Sequence, residues 1–158
     1  MFALAVDESR CNRCRRCEVA CQLRAERGAG GVPRIRVEED GWPIIRICRQ
    51  CEGAPCAEAC VSGAIRSDPG RGTVQLDPSL CVGCWACVME CPFAAAFMTL
   101  LPDGRWQAVK CDGCSDFPVP LCARFCPTGA LRWSGRAEGV AAGVRRRRAA
   151  RLGRGVLR

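Results

Sequence analysis

The residues able to do chemistry in this chain are its sixteen cysteines, which fall into four runs of four. The third run is the most regular: Cys81, Cys84, Cys87 and Cys91, followed by Pro92. Thiolates are soft ligands, and this C-x2-C-x2-C-x3-C-P spacing is one with which they hold an iron–sulfur cubane. Three thiolates three residues apart can take three iron corners of one cube. Cys91 lies four residues past Cys87, about one helical turn further on, and so points toward a second cube. The first run, Cys11, Cys14, Cys17 and Cys21, has the same spacing. The second (Cys48, Cys51, Cys56, Cys60) and the fourth (Cys111, Cys114, Cys122, Cys126, then Pro127) have longer gaps in the middle. All four end in C-x3-C.

If each run gives three thiolates to one cluster and its last to a partner cluster, ligand sets follow. Runs one and four pair, with Cys11, Cys14, Cys17 and Cys126 on one cluster and Cys111, Cys114, Cys122 and Cys21 on the other. Runs two and three pair likewise: Cys48, Cys51, Cys56 and Cys91, then Cys81, Cys84, Cys87 and Cys60. Every cysteine is used, which predicts four [4Fe-4S] clusters. A C-x3-C step advances about 6 Å along a helix, so paired clusters should lie on the order of 12 Å apart, close enough to pass electrons. Two other uses of cysteine compete. Zinc takes C-x2-C pairs but rarely a third cysteine at equal spacing. Disulfides belong to secreted chains, and the stretch Met1 to Val6 contains no basic n-region, with Asp7 and Glu8 following at once. The expectation is therefore a cytoplasmic protein with metal-binding thiols. The longest apolar stretch, Phe93 to Leu101, is too short to span a bilayer.

The elements that must carry these runs also repeat. Ala5-Val6-Asp7 precedes run one and Gln75-Leu76-Asp77 precedes run three; Gly63-Ala64-Ile65 follows run two and Gly129-Ala130-Leu131 follows run four. Ala64–Ser67 and Thr73–Asp77 read as a hairpin through Asp68-Pro69-Gly70-Arg71-Gly72, and the segment 48–91 resembles a complete two-cluster ferredoxin. A second unit of the same design, 1–30 with 92–134, would enclose it, with Phe2–Asp7 pairing against Ala130–Trp133. The fold class is thus α+β: two nested ferredoxin-like units of short helices and β-hairpins, related by a pseudo-two-fold. Residues 31–47 form a connecting hairpin, Pro33–Val37 and Trp42–Ile47 with a turn over Glu38–Gly41, and a further hairpin joins Phe97–Leu101 to Arg105–Lys110. Gly28–Gly31 reads as a flexible link, and 135–158 as a basic extension outside the core.

The net charge of +8 suggests a nucleic-acid partner until the cofactor is counted. An oxidised cubane with four thiolates carries about −2, so four bring roughly −8 and leave the loaded protein near neutral. The chain has no histidine and no tyrosine, which removes the usual acid–base catalysts. Three residues besides cysteine are expected against the cofactors. Lys110, the only lysine, precedes Cys111 and could set a cluster potential or bridge the two units. Pro92 and Pro127 stop the helical turn after a last ligand. Gly83, Gly113 and Asn12 fall where backbone must turn closely around sulfur. Trp42, Trp85, Trp106 and Trp133 read as packing lids. The tail, with Arg145–Arg148, reads as a solvated end; a docking arm for an acidic protein, a nucleic-acid contact and a membrane-surface contact are its other readings.

The segments Cys48–Cys56, Cys81-Val-Gly-Cys84 with Cys91-Pro-Phe93, and Lys110-Cys-Asp-Gly-Cys114 with Cys126–Leu131 resemble the four-cluster ferredoxin-type subunits of redox complexes. That family includes the iron–sulfur subunits of formate dehydrogenases, dimethyl sulfoxide and nitrate reductases, hydrogenases and carbon monoxide dehydrogenase. The short forms beside tungsten-containing aldehyde oxidoreductases look most similar. The resemblance covers residues 3–133 and implies the same nested ligand pairing. Relatives often have proline where Val61 stands, and some replace a run-three ligand with tryptophan, whereas Trp85 here follows Cys84. The implied function is a non-catalytic electron-transfer subunit, relaying single electrons between a catalytic oxidoreductase and a second redox protein. The alternatives are a free soluble polyferredoxin, a nucleic-acid-binding iron–sulfur protein using the arginine tail, and a filament built with the partner.

Overall fold

The computed structural model describes residues 4–25, 31–70 and 72–133. The arginine-rich tail, Phe2 and all of the Gly28–Gly31 link except Gly31 lie outside these residues. Among the described residues, eight strands pair into four two-stranded antiparallel sheets, and four short helices lie between them. In chain order they are β1 (Leu4–Val6), α1 (Arg16–Ala25), β2 (Ile35–Asp40), β3 (Trp42–Ile47), α2 (Pro55–Glu58), β4 (Ile65–Asp68), β5 (Thr73–Leu76), α3 (Ala86–Glu90), β6 (Ala96–Leu100), β7 (Trp106–Lys110), α4 (Leu121–Arg124) and β8 (Leu131–Trp133). The mixture of small helices and hairpins is α+β.

The first and last strands pair, Leu4 opposite Trp133 and Val6 opposite Leu131, which brings the two ends of the described chain together. The other three sheets are local hairpins. The β2–β3 strands run longer than the sequence suggests. Their ladder reaches Asp40 opposite Trp42, leaving Gly41 alone at the apex in place of a four-residue turn. Gly41 sits at φ +68°, a region that glycine enters without a Cβ penalty.

Two places share one local design. Asp7 and Asp77 each accept the N–H of the serine two residues on, Ser9 at 3.2 Å and Ser79 at 3.0 Å, starting a 3-10 turn (Glu8–Arg10 and Pro78–Leu80) that delivers the chain to Cys11 and Cys81. In both, the aspartate N–H donates 2.8 Å to an alanine carbonyl, Ala130 or Ala64, the residue directly after left-handed Gly129 or Gly63. A short polar side chain that satisfies its own backbone is what permits so tight a start.

Packing divides into two apolar clusters. One holds Leu4, Ile35, Val37, Ile45, Ile47, Ala130 and Leu131 with Cys17 and Cys122. The other holds Ala54, Ile65, Val74, Ala96 and Ala108 with Cys87. The β6–β7 hairpin therefore packs with β4, β5 and α3, although its residues were grouped by sequence with the chain ends. The reason is local: β6 follows α3 directly, and the Ala108 N–H reaches back 3.4 Å to Cys81 Sγ. Trp133 packs against the first apolar cluster, whereas Trp42, Trp85 and Trp106 are about half exposed; Trp85 lines a small cavity with Cys60, Cys81, Cys84 and Cys87 and lies ring against ring with Trp106, centroids 5.4 Å apart.

Candidate metal centres

Each cysteine run is shaped by a backbone conformation that most residues avoid. The third residue of every run has a positive φ: Arg13 at 59°, Gln50 at 49°, Gly83 at 69° and Gly113 at 79°. This bend redirects the chain between the first and second cysteines of each run. Gly83 and Gly113 stand where the sequence placed the turn. Asn12 does not: the bend falls on Arg13, and Asn12 supports it by accepting the Cys14 N–H at 3.3 Å. Asp112 does the same for Cys114 at 3.0 Å. Glycine at position 83 has a second cause, since a Cβ there would lie 2.6 Å from the Trp106 carbonyl oxygen.

The helices deliver the third cysteine. Cys17, Cys56, Cys87 and Cys122 sit in the first turn of α1, α2, α3 and α4. The final cysteine stays helical only in α1, where Cys21 is followed by Gln22–Ala25; Cys60, Cys91 and Cys126 come after their helices end. After these three, the chain turns through left-handed Gly63, Ala94 and Gly129, and a backbone N–H then points at the sulfur. Ile65 donates to Cys60 Sγ at 3.4 Å, Ala95 to Cys91 at 3.2 Å and Leu131 to Cys126 at 3.4 Å. Cys21 receives its N–H from a distant residue, Arg34, at 3.2 Å. Pro92 and Pro127 occupy the first position of this post-cysteine turn, Pro92 half-buried and Pro127 exposed.

All sixteen thiols are free. Their mutual electrostatic effects sort them into neighbours. Burial pushes Cys17 up to about 12, with the charges of Glu18, Cys126 and Cys11 adding to it. Burial does the same to Cys51, also to about 12, reinforced by Cys48, Cys56 and Cys91. Cys87 rises to about 11 from burial and from Cys81, Cys60 and Cys84. Cys122 is raised by burial, then by Cys114, Cys21 and Cys17. Three couplings bridge these neighbourhoods: Cys17 with Cys122, Cys48 with Cys111, and Cys56 with Cys87. They form one succession, from run one through runs four and two to run three. Cys60 and Cys126 move the other way. Burial opposes their ionisation, but the N–H groups of Ile65 and Leu131 and the hydroxyls of Ser62 and Thr128 lower them.

Exposure differs within the runs themselves: Cys111, Cys114 and Cys122 are buried, as are Cys17 and Cys87 in the two end runs, the run-two thiols are half-buried, and Cys14 and Cys84 in the end runs are exposed. Between runs two and four lies a polar knot that the sequence only half revealed. Lys110 is 4 % exposed, and its ammonium donates to the Val74 carbonyl and, at 2.7 Å, to that of Cys111. Gln50, 2 % exposed, donates to the same Cys111 carbonyl at 2.9 Å and accepts the Val74 N–H at 2.7 Å. Gln50 sits at the bend position of its run, the one available hint. Arg24 was also missed. It clamps Asp112 with two hydrogen bonds of 3.1 and 2.9 Å and pairs with Asp116, while Arg34 binds Asp112 at 2.9 Å. This clamp ties α1 to the backbone of run four.

The donor set fits iron–sulfur cubes. It is all sulfur, grouped in fours, with N–H groups aimed at thiolates whose charge they would stabilise. Among the described residues, no three cysteine or carboxylate side chains gather closely enough to hold a single metal ion. A cubane spreads its irons over a larger body and takes its thiolates from further apart.

Residues 42–136 match the family model described as a 4Fe-4S dicluster domain. An "Iron-sulfur protein" of Rhodospirillum rubrum is 36% identical over 77% of this chain and 76% of its own length. "Formate hydrogenlyase subunit 2" of Escherichia coli K12 is 36% identical over 82% and 79%, and "Electron transport protein HydN" of the same organism is 34% identical over 81% and 85%. Sixteen cysteines supply two such dicluster domains, so the cofactors are four [4Fe-4S] clusters, and the chain belongs to the 4Fe-4S dicluster family of ferredoxin-type electron-transfer proteins.

Proposed function

We propose that this chain is the electron-transfer subunit of an oxidoreductase complex, relaying single electrons between a catalytic subunit and a second redox protein. The observation that carries the reading is the succession of thiol groups, which reaches the surface in both end runs, at Cys14 and Cys84. When bound, each cluster takes up and releases one electron without forming or breaking a covalent bond. Cys11, Cys14, Cys17 and Cys126 hold the first; Cys111, Cys114, Cys122 and Cys21 the second; Cys48, Cys51, Cys56 and Cys91 the third; Cys81, Cys84, Cys87 and Cys60 the fourth. The neighbour relations of Cys17, Cys51, Cys87 and Cys122 support these sets. So do the matching Asp7 and Asp77 turns, which support two nested ferredoxin-like units.

The residues around the sulfurs keep water out, supply N–H donors and fix charge. Lys110 places a buried cation between the second and third sites, where it also lowers Cys56 against the stronger effect of burial. Pro92 and Pro127 shape the turn that aims an N–H at Cys91 and Cys126. The catalytic partner is a formate or aldehyde oxidoreductase with molybdenum or tungsten, or a carbon monoxide dehydrogenase; the formate hydrogenlyase relative favours the formate side. The protein works in the cytoplasm, and no described helix is long and apolar enough to cross a membrane. Paired ligand variants test the sets. Cys11→Ala and Cys126→Ala should each abolish the same electron paramagnetic resonance signal, and Cys51→Ala a different one; loss of different signals from the first two would refute the nesting.

A further inference from the structure

The two exposed ends of the thiol succession carry different surfaces. Around Cys84 the surface is apolar: Val82, Trp85, Met89 and Trp106 are all exposed. Around Cys14 it is cationic. Arg13, Arg15 and Arg16 flank the thiol, and all three are exposed. Carboxylates nearby are partly turned inward: Glu8 accepts the Ile45 N–H at 3.0 Å and Glu18 the Val37 N–H at 2.6 Å. The ion pairs left to the arginines are long, Arg13 with Glu39 at 3.8 Å and Arg15 with Glu18 at 4.0 Å, so their charge faces outward.

Backbone conformation shows that these arginines are there against local preference. Arg13 and Arg15 hold φ of 59° and 55°. Arg13 occupies the bend position that glycine fills in runs three and four. A long side chain in this region costs free energy that glycine would not, and strain that persists in a folded protein points to use. Beside the collar lies an apolar groove of about 610 Å³, whose walls include Val19, Leu23, Phe117, Leu121 and Phe125 and which shares Cys14 and Arg16 with it.

We propose that the Cys14 face is the docking surface for an acidic redox protein that binds transiently, with carboxylates set against Arg13, Arg15 and Arg16 and one apolar side chain in the groove. This assignment rests on the relay reading and says which end serves the mobile partner. A charged collar steers encounter, and an apolar pocket supplies the anchor. One electron then crosses at Cys14; one centre is oxidised and the other reduced, with no proton or bond change. A nucleic-acid backbone would answer the same charge but has no use for an exposed cluster ligand.

The test uses the cluster-loaded full chain with an acidic plant-type [2Fe–2S] ferredoxin as probe and basic cytochrome c as counter-probe. Affinity is measured with both proteins oxidised, so that no electron moves, and electron transfer separately by stopped flow. The acidic probe should bind at least tenfold more tightly than cytochrome c at low salt, and the preference should vanish near ~0.5 M salt. The combined Arg13→Gly, Arg15→Gln, Arg16→Gln variant should lose about tenfold in association rate with the acidic probe. Arg13→Gly alone should slow association while raising the unfolding midpoint, because it removes the left-handed strain. A purely structural arginine would not separate the two. Arg105→Gln, on the hairpin against run three, should change neither. Affinity blind to the three arginines, or DNA displacing the acidic probe at ~0.15 M salt, overturns the docking assignment. Normal arginine-dependent binding without electron passage overturns the relay and leaves the docking surface standing.

Discussion

Replacing Gly83 by alanine asks two things of the backbone at once. The residue holds φ +69°, where an L side chain costs about 1–2 kcal/mol. The new methyl would also lie 2.6 Å from the Trp106 carbonyl oxygen, a backbone atom that cannot rotate away. Relief requires the β6–β7 hairpin to move off run three, and that movement lengthens the Ala108 N–H contact to Cys81 Sγ. Overpacking of this kind costs about 1–3 kcal/mol. Gly104→Ala is the matched control. It has φ +82° but nothing within 4 Å of its added Cβ, so only the conformational cost remains. In the cluster-loaded protein Gly83→Ala should lower the apparent melting midpoint by about 10 °C, and Gly104→Ala by about 4 °C. The loss in Gly83→Ala should begin with the cluster held by Cys81, followed through its own paramagnetic signal. Equal midpoints for the two variants would refute the close-approach argument, since the backbone term is common to both.

Ala94 bears the same bend at φ 48° that Gly63 and Gly129 bear in the related turns, so Ala94→Gly should stabilise the protein by about 1 kcal/mol in denaturant titration. Lys110→Met removes a buried cation bonded to two carbonyls; about 2–3 kcal/mol of stability should go, and the potentials of the two inner clusters should fall in a redox titration. Arg24→Gln breaks the clamp on Asp112 and Asp116 and should cost about 2 kcal/mol, read as a lower midpoint with earlier loss of the run-four cluster.

What the sequence revealed, it revealed through spacing. A thiolate set is local in the chain, so the spacing of Cys81, Cys84 and Cys87 is what proposes a shared centre, and glycine at 83 and 113 announces the bend. The pairing of β1 with β8 was also legible, because Asp7 and Ala130 repeat the pattern of Asp77 and Ala64. The bend at Arg13 was not, since arginine has no preference for a left-handed conformation and is held there by the fold. Gln50 and Arg24 were hidden for a different reason. Their partners, Cys111 and Asp112, are distant in sequence, and no local pattern records a contact made by folding. The placement of β6–β7 beside run three failed similarly: the repeats marked which cysteine runs correspond, but not which core a connecting hairpin covers. Residue type alone did not reveal that Trp42, Trp85 and Trp106 leave about half of their surface to solvent.

The most direct measurement is the iron and acid-labile sulfide content of the anaerobically prepared protein. Four cubes on sixteen thiolates require roughly sixteen irons and sixteen sulfides per chain. A chain that holds about eight of each, or zinc without sulfide, would not be a four-centre relay.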